Sequence, residues 1–179
     1  IRKFLLMIGQ QDFIEKTKRR FLFWKINIST LLEFDINELI DSISKLSKNK
    51  IGALIILTRK NQLNEIITTG VEIDAKIKSS LIENIFWKNT PLHDGAMIIS
   101  GNKIKAAKCI LPLSDNSELL EGRGLRHRAA LGIAESTDAF AIVVSEQSGE
   151  VSIAIKGEFQ KNISIDTLKE YLEMEFLKD

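Results

Sequence analysis

The sequence predicts an α/β protein with a mixed central β-sheet covered by helices on both faces. Three observations carry that prediction. Apolar runs of strand length, such as Ile51 to Leu57 and Ala139 to Val144, alternate with stretches whose apolar residues recur at helical spacing. Hairpin signals at Gly101-Asn102 and Gln147-Ser148-Gly149 break a strict βαβ rhythm, so parallel and antiparallel pairs are expected together. The chain has 179 residues, 44% hydrophobic and 27% charged, enough to bury the core of one globular domain.

The elements follow in order. Residues 1–30 read as a helical extension. It is apolar at Phe4, Leu5 and Ile8, basic at Lys16, Lys18, Arg19 and Arg20, and aromatic at Phe21, Phe23 and Trp24. It reads either as a surface helix packing on the domain or as a juxtamembrane segment with its cations at lipid headgroups. Residues 31–179 form the domain proper. Asp35-Ile36-Asn37-Glu38 is a capping-box pattern opening a helix along Ile36, Leu39, Ile40, Ile43 and Leu46, which Lys48-Asn49-Lys50 ends. Ile51 to Thr58 is a buried strand, and a weaker strand includes Glu65 to Thr68. A second helix begins at Asp74, places Ile77, Leu81, Ile82, Ile85 and Phe86 on one face, and stops at Thr90-Pro91. Met97 to Ser100 and Lys103 to Leu111 form a hairpin, followed by a polar loop from Pro112 to Gly124. Arg126 to Ser136 is a short helix with Ala130, Ile133 and Ala134 inward. Phe140 to Val144 and Val151 to Ile155 are strands, and Ser164 to Leu177 is a terminal helix.

Bulk properties narrow the function. A formal net charge of +1 gives no global basic field for nucleic acid or an anionic membrane, so any anion site is local. The single Cys109, flanked by Ala107 and Ile110, excludes an internal disulfide and reads as a buried structural thiol. No apolar run is long enough to span a bilayer. No Walker lysine loop, Gly-x-Gly-x-x-Gly string or zinc-ligand spacing occurs.

Two strings concentrate the reactive residue types, and they contain both histidines of the chain. In His93-Asp94-Gly95-Ala96 a carboxylate stands directly before a glycine and a strand. Asp94 reads as a turn residue or as an acid for a metal or a hydroxyl, and Gly95 allows close approach of a ligand. His93 reads as a metal ligand or as a satisfied half-buried histidine. In Gly124-Leu125-Arg126-His127-Arg128 two arginines sit where the helix dipole is already positive, so they need anionic partners: acidic side chains of the same chain, or phosphate. Ser145 offers a hydroxyl to phosphate and Glu146 a carboxylate to a metal, unless Ser145 to Gly149 is an ordinary hairpin turn.

Taken together and in order, these segments resemble a known family. Asn89-Thr90-Pro91-Leu92-His93-Asp94-Gly95-Ala96 resembles the Asp-Gly-Ala region of diadenylate cyclases, and Gly124-Leu125-Arg126-His127-Arg128-Ala129-Ala130 resembles their Gly-Thr-Arg-His-Arg motif. Cys109-Ile110-Leu111-Pro112-Leu113-Ser114 and Val143-Val144-Ser145-Glu146-Gln147-Ser148-Gly149 also match, and the resemblance runs from about Ile51 to Phe159. It is strongest to the membrane-tethered type. It implies the diadenylate cyclase fold and condensation of two ATP into cyclic di-AMP with release of two pyrophosphates.

The resemblance also implies the site. Asp94 would handle the attacking 3′-hydroxyl or share Mg²⁺ or Mn²⁺ with it, with His93 and Glu146 as further metal ligands. Arg126 and Arg128 would neutralise the triphosphate, and His127 would contact phosphate or orient the loop. Gly95, Ala96, Ile110, Leu111, Gly124, Leu125 and Ser145 would line the nucleotide, with the Leu111 backbone at the adenine edge. A symmetric product implies a face-to-face homodimer. Other implied features are a cytoplasmic catalytic domain, anchoring of the full-length protein in a bacterial cell membrane, a membrane-bound or regulatory protein partner, and no nucleic acid. Two departures stand out: Leu125 replaces the family's threonine, and Gln147 replaces a frequent second glutamate. They favour the rival reading, a catalytically weak ATP-binding module of the same fold.

Overall fold

A computed structural model describes residues 36–116 and 124–176, within a compact unit that runs from Asp35 to Asp179. The extension predicted over residues 1–30 lies outside the described residues, as does most of the polar loop before Gly124. Helix α1 spans 36–48. Then come β1 (Ala53–Leu57), α2 (Asn64–Ile67), β2 (Val71–Lys76), α3 (Ser79–Phe86), β3 (Ala96–Ser100), β4 (Lys103–Cys109) and α4 (Leu125–Ser136). The chain continues through β5 (Phe140–Val144), β6 (Val151–Ile155), β7 (Glu158–Gln160) and α5 (Ile165–Phe176).

The strands form one sheet in the order β2-β4-β3-β1-β5-β6-β7. β1 pairs with β3 in parallel, and every other pair is antiparallel. The mixed sheet covered on both faces is therefore the observed architecture. β1, β3, β5 and β6 are buried along their whole length, which is why they read as continuous apolar runs rather than as alternation.

Successive side chains of a strand point to opposite faces, so the core divides in two. On one face Ile55, Met97, Phe140, Ile142 and Ile153 pack with Leu39, Ile43 and Leu46 of α1, Ile82, Ile85 and Phe86 of α3, and Leu168 and Leu172 of α5. On the other, Leu54, Ile56, Ala96, Ala106, Ala141 and Ala154 pack with Ala129, Ala130, Ile133 and Ala134 of α4.

The end of α1 is chemically specified. Lys50 adopts a left-handed conformation (φ 51°), Lys50 N–H donates to Ser47 O (3.1 Å), and Ile51 N–H donates to Leu46 O (2.9 Å). This is a Schellman closure, and its two outer residues, Leu46 and Ile51, both join the core. The capping-box expectation needs correction at its acid. Glu38 caps a different helix: its carboxylate accepts from Ser79 N–H (2.8 Å) at the start of α3 and from Lys78 Nζ (2.9 Å). The Ser79 bond, then Lys78, holds the Glu38 carboxyl below its ordinary range.

Two further expectations are overturned. Glu65 to Thr68 is not a strand: α2 occupies Asn64–Ile67, and strand β2 follows it. Asn61 Oδ1 accepts Leu63 N–H (3.0 Å), Leu63 is left-handed (φ 54°), and the Thr68 and Thr69 hydroxyls bond back to Glu65 O and Ile66 O. Those local bonds outcompete a ladder. Nor does Asp74 open a helix. It is left-handed (φ 45°) within β2, at a break in the β2–β4 register, and is gripped by Lys103 (2.8 Å) and Lys105 (2.7 Å) of β4. Those two cations draw its carboxyl down to about 2. Helix α3 starts at Ser79 instead, where Glu38 supplies the cap.

Candidate nucleotide site

A cavity of about 1200 Å³ opens where the starts of β2 and β3, the ends of β4 and β5 and the N-terminus of α4 converge. His93, Asp94 and Gly95 form one wall. Ile110 and Leu111 form another, and Gly124 to His127 a third. Ser145, Glu146 and Gln147 close the fourth side. Four segments far apart in sequence thus meet in one concavity, the commonest form of a small-molecule site.

The acid loop is held by its own hydrogen bonds. Asn89 turns the chain through a left-handed conformation (φ 64°), and the Thr90 hydroxyl donates to Trp87 O (2.8 Å) and Ile85 O (3.2 Å) at the end of α3. His93 Nδ1 lies 2.6 Å from Thr90 O. A carbonyl only accepts, so Nδ1 carries a proton and Nε2 is the ring nitrogen turned to Asp94. Nε2 is 3.5 Å from Asp94 Oδ1, and the Asp94 side chain is 77% exposed toward the cavity.

Gly95 is glycine for an internal reason. It has φ 102°, and a Cβ there would meet Cys109 O at 2.8 Å and the Lys108 carbonyl carbon at 2.9 Å. The residue lets the chain enter β3 hard against the end of β4, its antiparallel neighbour in the sheet. Ala96 is fully buried on the small-residue face and does not reach the cavity.

The basic helix start separates its residues. Arg126 Nη2 donates to His93 O and Nη1 to Glu146 Oε2, each at 3.3 Å, so the guanidinium ties the helix to both the acid loop and the β5 turn. Its buried Nε has no hydrogen-bond partner among the described residues. Gly52 makes room for it, since a Cβ there would lie 2.5 Å from Nη1. His127 is buried and meets Phe159 of β7 edge-on, ring centroids 6.0 Å apart. Arg128 does not line the cavity; its Nε donates to Ser114 O (3.1 Å) and its Nη2 to Asp115 (3.4 Å).

The remaining predicted residues fall as follows. Leu111 is nearly buried in the wall, while Ile110 (72%) and Leu125 (67%) are exposed on the rim beside Gly124. Ser145 is buried, and its Oγ accepts from Ser148 N–H (3.3 Å), so the Ser145–Gly149 segment is indeed a tight turn. Glu146 is occupied: Lys88 Nζ lies 3.2 Å from one carboxylate oxygen and Arg126 Nη1 3.3 Å from the other. The Lys88 ammonium, then Arg126, holds its carboxyl below the ordinary range. Sequence reasoning passed over Lys88, because nothing local announces a lysine whose partner is 58 positions away. Cys109 is a free, buried thiol pushed up to about 11 by burial, as its apolar neighbours suggested.

Among the described residues, no group of three His, Cys, Asp or Glu is arranged to hold a metal ion. Asp94 and His93 Nε2 are the available pair. One carboxylate and one imidazole fit a divalent ion shared with substrate phosphates and water, not a closed protein cage.

Residues 40–159 match the family model described as DisA bacterial checkpoint controller nucleotide-binding. The chain is similar to the cyclic di-AMP synthase CdaA of Bacillus subtilis, with 44% identity over 80% of this chain and 53% of that protein. It is 46% identical to a diadenylate cyclase of Listeria monocytogenes, over 82% of this chain and 55% of that one. The chain spans about half the length of these curated relatives. Among solved structures it is similar to DacA from Staphylococcus aureus, with TM-score 0.80, 40% identity, and coverage of 82% of this chain and 97% of that one. It is also similar to a hypothetical membrane spanning protein from Bacillus cereus, with TM-score 0.68, 39% identity, and coverage of 72% and 63%.

Proposed function

Since the chain belongs to the DisA-type diadenylate cyclase family, we propose that it condenses two ATP into cyclic di-AMP and two pyrophosphates. The observation that carries the reading is the Arg126–His93 bond: it fastens a phosphate-seeking guanidinium to the loop that presents Asp94, inside one cavity. In each of two transfers a ribose 3′-oxygen forms a bond to the α-phosphorus of the other ATP. The bond from that phosphorus to the bridging oxygen breaks, and pyrophosphate leaves. Asp94 orients the hydroxyl and takes up its proton directly or through water. Arg126 neutralises charge that grows on the phosphate oxygens, helped by the positive end of α4. Arg128 acts through the 112–116 segment, which it holds in place. Mg²⁺ or Mn²⁺, held by Asp94 and His93, would supply charge neutralisation at the reacting phosphate.

The product has two-fold symmetry and the cavity is a single open cleft, which supports a face-to-face pair of chains. The exposed apolar rim of Ile110, Leu113 and Leu125 supports the same pairing. No helix among the described residues is long and apolar enough to cross a membrane. Similarity to a protein described as membrane spanning supports anchoring of the full-length protein, with this domain in the cytoplasm where ATP is.

The test is incubation with ATP and either Mg²⁺ or Mn²⁺, beside Asp94→Asn, with product read by mass spectrometry. The parent should make cyclic di-AMP and the variant at least about 100-fold less. ATP binding without product, with either metal and at concentrations that force pairing, would replace this reading with a binding module. Exposed Leu125, which lacks a hydroxyl at the first position of α4, is what favours that rival.

A further inference from the structure

Lys88 belongs to none of the roles above. It follows α3, lines the cavity, and places its ammonium 3.2 Å from Glu146 Oε1. The second oxygen of that carboxylate faces Arg126 Nη1 at 3.3 Å. Glu146 is therefore shared, oxygen by oxygen, between two cations.

The sharing decides the charge of this corner. One carboxylate against two cations leaves one net positive charge. Without Lys88, Arg126 and Glu146 would cancel, and the guanidinium would be committed to an internal ion pair. With Lys88 in place the Arg126 contacts are long, both 3.3 Å, and its buried Nε has no hydrogen-bond partner among the described residues. With Glu146 already satisfied by another cation, the positive charge of this guanidinium is left for an incoming anion.

We propose that Lys88 is a positioning residue for triphosphate binding: by holding and neutralising Glu146, it keeps the Arg126 guanidinium available to the phosphates. The inference rests on the nucleotide reading of the cavity.

The experiment is calorimetric titration of the full chain with ATP and, separately, with adenosine, which lacks phosphates. Lys88→Met should weaken ATP binding about three- to tenfold at low salt, and less at high salt, as expected for one partly screened charge. Adenosine binding should not change, which a merely structural role would not predict. Lys88→Arg should restore ATP affinity to within about twofold, because it restores the cation. In a Glu146→Gln background, adding Lys88→Met should cost clearly less ATP affinity than it does in the parent, since Arg126 then has no carboxylate to be committed to and only one screened charge is lost. Unchanged ATP binding by Lys88→Met would overturn the proposal. So would an undiminished loss in the Glu146→Gln background, which would make Lys88 act on the phosphates without Glu146. A parent chain that binds no ATP would instead remove the nucleotide reading, and this inference with it.

Discussion

The two faces of the sheet are filled by different kinds of residue. One carries isoleucine, methionine and phenylalanine, met by three helices that each bring their own large aliphatic side chains. The other carries alanines at Ala96, Ala106, Ala141 and Ala154, met by a helix that itself offers Ala129, Ala130 and Ala134. Large side chains from both layers fill the first face. The second face mixes these alanines with Leu54, Ile56, Ile98, Val143 and Ile133, and the cavity borders it at Leu54, Cys109, Leu111 and Ala129. The cavity thus borders one face of the sheet more than the other.

Phe140→Ala tests the first face most severely. Phe140 is fully buried and packs edge-on against Phe176, 6.1 Å between centroids. Its removal should cost about 3–5 kcal/mol and lower the thermal midpoint by roughly 10 °C or more. ATP affinity of the protein that remains folded should stay within about twofold of the parent. A large loss of affinity at a temperature where the variant is fully folded would show that the faces are not independent.

Gly132→Ala probes the second face with a smaller but two-sided effect. A Cβ at Gly132 would collide with Pro112 O and lie 2.8 Å from Ser114 N. The helix propensity gained by alanine is outweighed by that backbone clash, so a net loss of about 1–3 kcal/mol is expected in urea unfolding. Unlike Phe140→Ala, it should also weaken ATP binding, because the displaced 112–114 segment adjoins Leu111 and Leu113 of the cavity wall. A variant that loses stability with full affinity would uncouple the layer from the site.

The smallest effect belongs to neither face but to the sheet edge at Asp74. Its folded carboxyl titrates at about 2, below the ordinary value near 4, because Lys103 and Lys105 favour the charged form. A depressed acid contributes stability that is fully present above the unfolded value and is lost as pH falls through the folded one. Asp74→Asn should therefore lower the urea midpoint slightly at pH 6, with the difference from the parent closing between about pH 4 and 2. High salt should shrink it as well, since the groups are exposed.

What was legible in the sequence follows the same division. β1, β3, β5 and β6 declare themselves because burial on both faces demands unbroken apolar runs. β2 does not, because as an edge strand it alternates Val71-Glu72-Ile73-Asp74-Ala75-Lys76, and an aspartate at that point also looks like a helix start. The lysines that settle the matter lie 29 and 31 residues away. At the site, residue type located the cavity: His93, Asp94, Arg126 and Ser145 do line it. Direction was not legible. Ala96 turns into the core, and Arg128 turns to Ser114 and Asp115. His127 lines the cavity, but its ring also packs on Phe159, which belongs to a strand too short and too polar to stand out. A local pattern names the residues that belong to a site, while the direction of each side chain depends on partners that only the tertiary fold supplies.

The edges of the sheet bear on how copies of the chain meet. β7 at one end is three residues long, and β2 at the other is kinked at left-handed Asp74, whose carboxylate two lysines of the neighbouring β4 hold. Both ends are poor templates for another strand, which works against edge-to-edge sheet growth. For a molecule proposed to work by encountering its own twin, this discourages strand-to-strand approach and leaves pairing to other surfaces, the exposed apolar rim of the cavity among them.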